Sequence, residues 1–268
     1  MHSTIVLIIG ANRGLGKGLL KLYLAKPYHT IVAGVRNPHH STSKALAKLP
    51  KAERTSLLII EIESTVETDA ADRMNQLTSQ GINRIDILIA NAGTAYIWPK
   101  VSEVRVEDMR KHIDVNVYGI IWLYQATLPL LKKAKSLIWV SLGMSAAYLT
   151  VRDIYYSMQL FPMIAFPNAT YAPSKFVIHY LTKEIHNEEP QPTAFPLDPG
   201  WVQTDMGNRG AKAFGAEKAA MTIEQNVNGI IEVIDVATRD THGGKLWRWD
   251  GKQIPLKELG IISAQAIL

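Results

Sequence analysis

Tyr171 and Lys175 stand four residues apart in Tyr-Ala-Pro-Ser-Lys. On a helix, positions i and i+4 share a face, so a phenol and an ammonium would lie about one turn apart. A phenol titrates near pH ~10, and a neighbouring cation favours phenolate, which predicts a lowered pKa and a tyrosine able to pass a proton. The same spacing recurs at Tyr96 and Lys100. There Pro99 precedes the lysine, and no apolar pattern of helical period follows for several residues. Tyr171 instead leads into Phe176, Val177, Tyr180 and Leu181, with Pro173 in the first turn, where proline is tolerated. Tyr171 and Lys175 are therefore the expected catalytic pair.

A second constellation is Gly10-Ala11-Asn12-Arg13-Gly14-Leu15-Gly16, between an apolar run at 5–9 and a helical pattern. A turn there aims backbone N–H groups and the positive end of a helix at an anion, and its glycines let a pyrophosphate approach the chain. A nucleoside-triphosphatase loop would need glycine, four residues and Gly-Lys-Ser/Thr. Gly16-Lys17 is followed by Gly18, and Ala11 stands where the first glycine belongs, so that reading fails twice. The glycines at 10, 14 and 16 also depart from G-x-G-x-x-G. The second apolar run ends Gly34-Val35-Arg36, with no carboxylate for a ribose 2′-hydroxyl. Arg36 and Arg13 suit a 2′-phosphate, so NADP(H) is the expected cofactor in preference to NAD(H).

These motifs, in this order, resemble the short-chain dehydrogenase/reductase family, whose first turn reads T-G-x-x-x-G-x-G, with Ile9 here in place of the threonine. The resemblance runs from Ile5 to about Pro255. It implies that Asn12 and Leu15 belong to the phosphate turn, that Glu63 stands where an aspartate usually meets the adenine, and that Asn91-Ala92-Gly93 lies against the cofactor ribose. It implies that Lys175 also bonds that ribose, and that Asn116 holds a water in a proton relay to Lys175. The loop Pro199-Gly200-Trp201-Val202-Gln203-Thr204 would close over the nicotinamide, with Val202 and Thr204 on its carboxamide; Asp198 is an unusual residue before it. The family's substrate-orienting serine falls on Met144, and Ser145, one residue later, is the expected replacement. The wording is similar to that of fungal ketoreductases of secondary metabolism, which implies an aromatic or polyketide-like ketone as the small-molecule substrate. Tyr96, Trp98, Tyr148, Tyr155, Tyr156, Trp201 and Phe214 are candidates to line its pocket. Two alternatives stay open: an NADP-binding protein with little redox activity, and the same scaffold used for cyclisation, isomerisation or imine reduction.

The elements that must position these residues are legible as β-branched runs alternating with helical patterns. Strands are expected at 5–9, 31–35, 57–62, 85–90, 137–141 and 245–249, with a further one before the loop at 199, and helices at 15–25, 68–78, 106–132, 176–186 and 222–238. Strands apolar on both faces imply a doubly wound, Rossmann-type parallel sheet of about seven strands covered by helices on both faces. The chain has 268 residues, 47% apolar and 20% charged, enough for a single dinucleotide-binding and catalytic domain. The stretch 148–168, rich in Tyr, Phe, Met and Pro, is an expected substrate-side insertion. The formal charge of +5 is scattered, apart from Lys132, Lys133 and Lys135, which read as a helix end, so no nucleic-acid partner is expected. With no cysteine there is no disulfide framework or thiolate zinc site, and no metal is expected. The run at 5–9 is too short for a secretory or membrane segment, so a cytoplasmic enzyme is expected, and the resemblance implies a homodimer or homotetramer.

Overall fold

The computed structural model describes residues 3–147 and 167–254. Strands and helices alternate as β1 (Thr4–Ile9), α1 (Gly14–Leu24), β2 (His29–Val35), α2 (Ser41–Lys44), β3 (Ser56–Glu61), α3 (Asp69–Ser79) and β4 (Ile87–Ala90). There follow α4 (Val106–Ile113), α5 (Gly119–Leu131), β5 (Ile138–Leu142), α6 (Tyr171–Glu188), β6 (Thr193–Asp198), α7 (Asp205–Ala213), α8 (Ile223–Asp235), α9 (Arg239–His242), β7 (Leu246–Arg248) and β8 (Gln253–Ile254). The strands form one sheet in the order β3-β2-β1-β4-β5-β6-β7-β8. Every neighbouring pair is parallel except β7 with β8, which is antiparallel and adds an eighth strand to the expected set.

Side chains alternate across a strand, and here both faces are buried. Leu7, Val32, Leu88 and Trp139 point into a core shared with Met74 and Leu77 of α3, Ile120 and Leu123 of α5, and Ile178 and Ile185 of α6. Their neighbours Val6, Ile8, Ile31, Ile89 and Val140 point the other way, onto Leu19, Leu20 and Tyr23 of α1 and Val227, Ile230 and Ile231 of α8. This is why the strands read as unbroken apolar runs. Strand order reverses between β1 and β4, and in such sheets the crevice at the carboxyl ends of the strands beside that reversal takes the ligand.

Three expectations need correction. The helix expected over 106–132 is two helices, α4 and α5, joined by a π-helical turn at Asp114–Tyr118. The wider turn directs the buried Asn116 amide inward to Thr94, while Gly119 lies so close to Ser64 that an added Cβ would come 2.6 Å from its carbonyl oxygen. Helix α7 was not foreseen because Gly207 and Gly210 obscure its period; Thr204 starts it by accepting the Gly207 N–H at 3.0 Å. Helix α6 begins at Tyr171, ahead of the apolar pattern expected from 176 and with Pro173 in its first turn. Most of the insertion expected over 148–168 lies outside the described residues. Among the described residues, no helix is long and apolar enough to cross a membrane.

Trp139, 0% exposed at the centre of β5, packs edge-on against Tyr124 with ring centroids 5.3 Å apart and donates to the Ser141 hydroxyl at 2.9 Å. Trp139→Ala is expected to lower unfolding free energy in urea by about 3–5 kcal/mol, the usual loss for a fully buried tryptophan. A loss below about 1 kcal/mol would contradict this packing.

Candidate active site

The turn between β1 and α1 is built by close approach. Gly10 and Gly14 have φ of +74° and +54°, the left-handed region that suits glycine. A Cβ on Gly16 would overlap the Gly10 carbonyl and the Asn91 amide nitrogen. That nitrogen donates to the carbonyls of Ile9 at 2.8 Å and Gly10 at 3.1 Å, so Asn91, at the end of β4, clamps the turn from the neighbouring strand. The Ala92 backbone lies directly beside Gly10. Helix α1 opens with no side-chain cap and no acidic residue in its first turn. The N–H groups of Gly14, Leu15 and Gly16 have no partner inside the helix and point out of its end, a cradle for phosphate oxygens. Asn12 is turned aside, donating to Thr42 at 2.8 Å and fixing α2 beside the turn.

Arg13 and Arg36 are exposed at the rim of this cradle. Arg36 lies 3.8 Å from Glu63, which also accepts the Thr65 N–H, and Arg13 lies 3.7 Å from Asp205. Glu63 thus holds the loop after β3 and faces an arginine. Solvent-exposed pairs at such distances are weak and leave the guanidinium groups free to engage a phosphate. The loop after β6 folds back onto the same turn, since a Cβ on Gly14 would meet the Thr204 methyl at 3.2 Å. The Thr204 hydroxyl is engaged in capping α7, and Val202 is anchored by pairing with Met221.

Tyr171 and Lys175 do share a face of α6. The Lys175 Nζ lies 5.8 Å from the Tyr171 ring centroid and donates to the Leu142 carbonyl at 2.7 Å, at the end of β5. It also sits close to Gly93, where an added Cβ would come within 3.5 Å of it. Gly93 and Thr94 are held by Asn116: its Oδ1 accepts the Thr94 N–H at 2.7 Å, and its Nδ2 donates to the Thr94 carbonyl and the Ser174 hydroxyl, both at 2.9 Å. What the geometry gives Asn116 is the fixing of one strand-end peptide to α6.

The expected lowering of the Tyr171 pKa is reversed. Burial pushes it above the ordinary phenol value and the charge of Asp198 adds to the shift. Lys175 does not offset this, because its ammonium is aimed at Leu142 and its own burial pulls its pKa down to about 8. A phenol is protonated at neutral pH with or without this shift, and the shift makes it a weaker acid.

Ser145 is buried in the 3-10 turn Ser145–Ala147, and that turn packs against α6. Its hydroxyl donates to the Asp198 carboxylate. One histidine outside the expected set belongs to the same region. His179, one turn beyond Lys175 on the same face, accepts the Met144 N–H at 3.1 Å. Burial, reinforced by Lys175, pushes its pKa down to about 3, so it stays neutral. The spacing 171, 175, 179 was the available signal. The second tyrosine–lysine pair is not a helical pair: Tyr96 lies in a loop, stacks on His112 at 4.5 Å and donates to Asp108 at 3.2 Å, and Lys100 is exposed.

Tyr96, Trp98, Arg209 and Phe214 help line a cavity of about 360 Å³. Trp98 meets Phe214 edge-on at 5.5 Å, and His112 links the Tyr96 wall to Tyr171, with ring centroids 6.3 Å apart. Trp201 packs edge-on against Phe214 at 6.5 Å. Tyr148, Tyr155 and Tyr156 lie outside the described residues.

A family model for short chain dehydrogenases matches residues 4–147. A norsolorinic acid ketoreductase of Dothistroma septosporum is 37% identical over 256 residues, covering 94% of this chain and 92% of that one. A norsolorinic acid ketoreductase of Emericella nidulans is 34% identical, covering 95% of this chain and 94% of its own. Among solved structures, an NADPH-bound carbonyl reductase from chicken fatty liver superposes with a TM-score of 0.77 at 24% identity, covering 95% of this chain and 99% of that chain.

Lys175 supplies a test of the site's burial. In the folded chain it titrates at about 8, against an ordinary 10.5. Between those values the unfolded chain binds the extra proton, so stability should rise with pH across that window, by up to about 3 kcal/mol, and Lys175→Met should lack that component. Urea unfolding of both proteins at pH ~7.5 and ~10.5 measures it, and an unchanged pH dependence in the variant would show that Lys175 is not the titrating group.

Proposed function

The chain belongs to the short chain dehydrogenase family of oxidoreductases, and from that premise we propose that it is an NADPH-dependent ketoreductase acting on a flat aromatic or polyketide-like ketone. The observation that carries the reading is Tyr171 one helical turn from a buried lysine, at the same carboxyl edge of the sheet as the uncapped end of α1. The residues present fit the cofactor. The N–H groups of Gly14, Leu15 and Gly16 would take the pyrophosphate, and Arg13 and Arg36, exposed and with no carboxylate at the end of β2, would take a 2′-phosphate. Gly93, with no side chain between the backbone and Lys175, leaves room for a ribose. The loop from Pro199 to Thr204 would cover the nicotinamide. When bound, the reduced nicotinamide supplies hydride to the carbonyl carbon.

The chain's own groups do the rest. Tyr171 gives its proton to the carbonyl oxygen as charge develops there. The phenolate left behind would be stabilised at a distance by the Lys175 ammonium, which lies 5.8 Å from the Tyr171 ring centroid and is held by Leu142. Asn116 holds Gly93 and Thr94 against α6, so strand end and helix cannot drift apart. Ser145, whose turn packs against α6, would be the hydroxyl that meets the carbonyl oxygen. The aromatic walls at Tyr96, Trp98 and Phe214 favour a flat substrate, and the ketoreductase names of the fungal relatives favour the same class.

Tyr171→Phe is expected to lower kcat for aromatic ketones by about 10²–10⁴-fold, the usual contribution of a general acid, while Tyr96→Phe stays within a few-fold of the parent. Loss of nicotinamide absorbance measures both, and retained turnover in Tyr171→Phe would remove the mechanism. Arg36→Ala should weaken NADPH binding by about tenfold and leave NADH binding nearly unchanged, read from nicotinamide fluorescence. Equal effects on the two nucleotides would show that Arg36 does not meet the 2′-phosphate.

A further inference from the structure

Asp198, the last residue of β6, is buried, and three hydrogens converge on its carboxylate. The Gly200 N–H donates to Oδ1 at 2.7 Å, the Ser145 N–H donates to Oδ2 at 3.0 Å, and the Ser145 hydroxyl donates to the same Oδ2. Two of the three are backbone amides, which can only donate. An ionised carboxylate accepts on both oxygens and satisfies all three. An asparagine could not, because either orientation of its amide turns an NH₂ against one of the backbone N–H groups.

The turn after β5 packs against α6 and is joined through Asp198 to the loop after β6. The first carries Ser145; the second carries the segment from Pro199 to Thr204. The loop after β5 has Met144 where a serine would be expected, and Ser145 begins a new turn. A backbone bond to Asp198 fixes that residue independently of its hydroxyl. We propose that Asp198 is a positioning residue: its carboxylate holds Ser145 in the role of the displaced serine and ties it to the nicotinamide-side loop at Gly200. In the structure the hydroxyl gives its one hydrogen to Asp198; turning about the Cα–Cβ bond would carry it to the ketone oxygen while the Ser145 N–H stays anchored. Asp198 also has its main-chain carbonyl engaged, by the Trp249 N–H at 3.0 Å, so the carboxylate has a fixed base to act from. Its charge acts on Tyr171 as well, in the direction that keeps the phenol protonated.

This inference rests on the reading of Tyr171 as proton donor and of Ser145 as the ketone's second partner. The test is a double-mutant comparison of Ser145→Ala, Asp198→Asn and the combined variant, with kcat and KM for an aromatic ketone measured separately at saturating NADPH and NADPH affinity measured by fluorescence. Each single change is expected to lower kcat by about 10²-fold, the usual cost of one donor to a developing oxyanion. The combined variant is expected to fall no more than about threefold below the worse single one, because Asp198 acts on kcat through Ser145. Loss of the Gly200 bond is expected as a separate weakening of NADPH binding, present with or without the serine. Multiplying losses in kcat, or Asp198→Asn with kcat within twofold of the parent, would overturn the proposal. If Asp198→Asn does not fold, Asp198→Ser goes through the same comparison. Failure of both to fold, with Ser145→Ala folded, would assign Asp198 a structural role instead. Tyr171→Phe run alongside separates the two claims: if it turns over normally the ketone-reduction reading fails, whatever Asp198 does.

Discussion

Lys175 places an ammonium out of water, 4% exposed, and gives it one backbone carbonyl, that of Leu142. Burying such a charge is costly, and the fall of its pKa to about 8 is the visible sign of that cost. The site depends on the location this enforces. The lysine stem runs between the end of β5 and Gly93 after β4, so α6 can dock in one register only, and that register sets Tyr171. His179 repeats the tie one turn later through the Met144 N–H, and Asn116 completes it from the π-helical turn through Ser174. Lys175 and His179 therefore pin one face of α6 to the end of β5, and Ser174 pins it to Asn116.

The same economy of backbone bonding governs the cofactor side. Asn91 uses its amide on Ile9 and Gly10, so the clamp on the glycine turn comes from the strand across the topological switch. Gly16 then packs where no larger residue fits. The helix end is left without a side-chain cap, and among the described residues the arginines beside it meet only long pairs, Arg13 with the exposed Asp205 and Arg36 with the half-buried Glu63, so the donor groups face outward toward an anion. Two apolar cores, one on each face of the sheet, provide the rigidity against which these bonds are set.

Much of this was legible in the residues. The apolar runs gave the parallel sheet, and helical context distinguished Tyr171 from Tyr96, because periodicity and i+4 spacing are local properties. What was not legible depends on contacts between distant segments. The π-helical turn at Asp114–Tyr118 interrupts a pattern that reads as one helix, because its cause is the fit of Gly119 against Ser64 and of Asn116 against Thr94. The direction of the Tyr171 shift was misread because spacing reports that Lys175 is near, while burial and Asp198 decide the sign. Asp198 stood in the sequence as an unexplained acid. Its meaning came from Ser145, which precedes it by 53 positions and meets it only across two loops.

The central claim is that this scaffold moves a hydride from the nicotinamide to a carbonyl carbon, and the most direct measurement follows the hydride itself. The enzyme is mixed with an aromatic ketone and NADPH carrying deuterium at the transferable position, and the product is read by mass spectrometry. The product should be an alcohol with one deuterium on the former carbonyl carbon, with one oxidised nicotinamide per product molecule. A product formed without deuterium, or without consumption of NADPH, would contradict it.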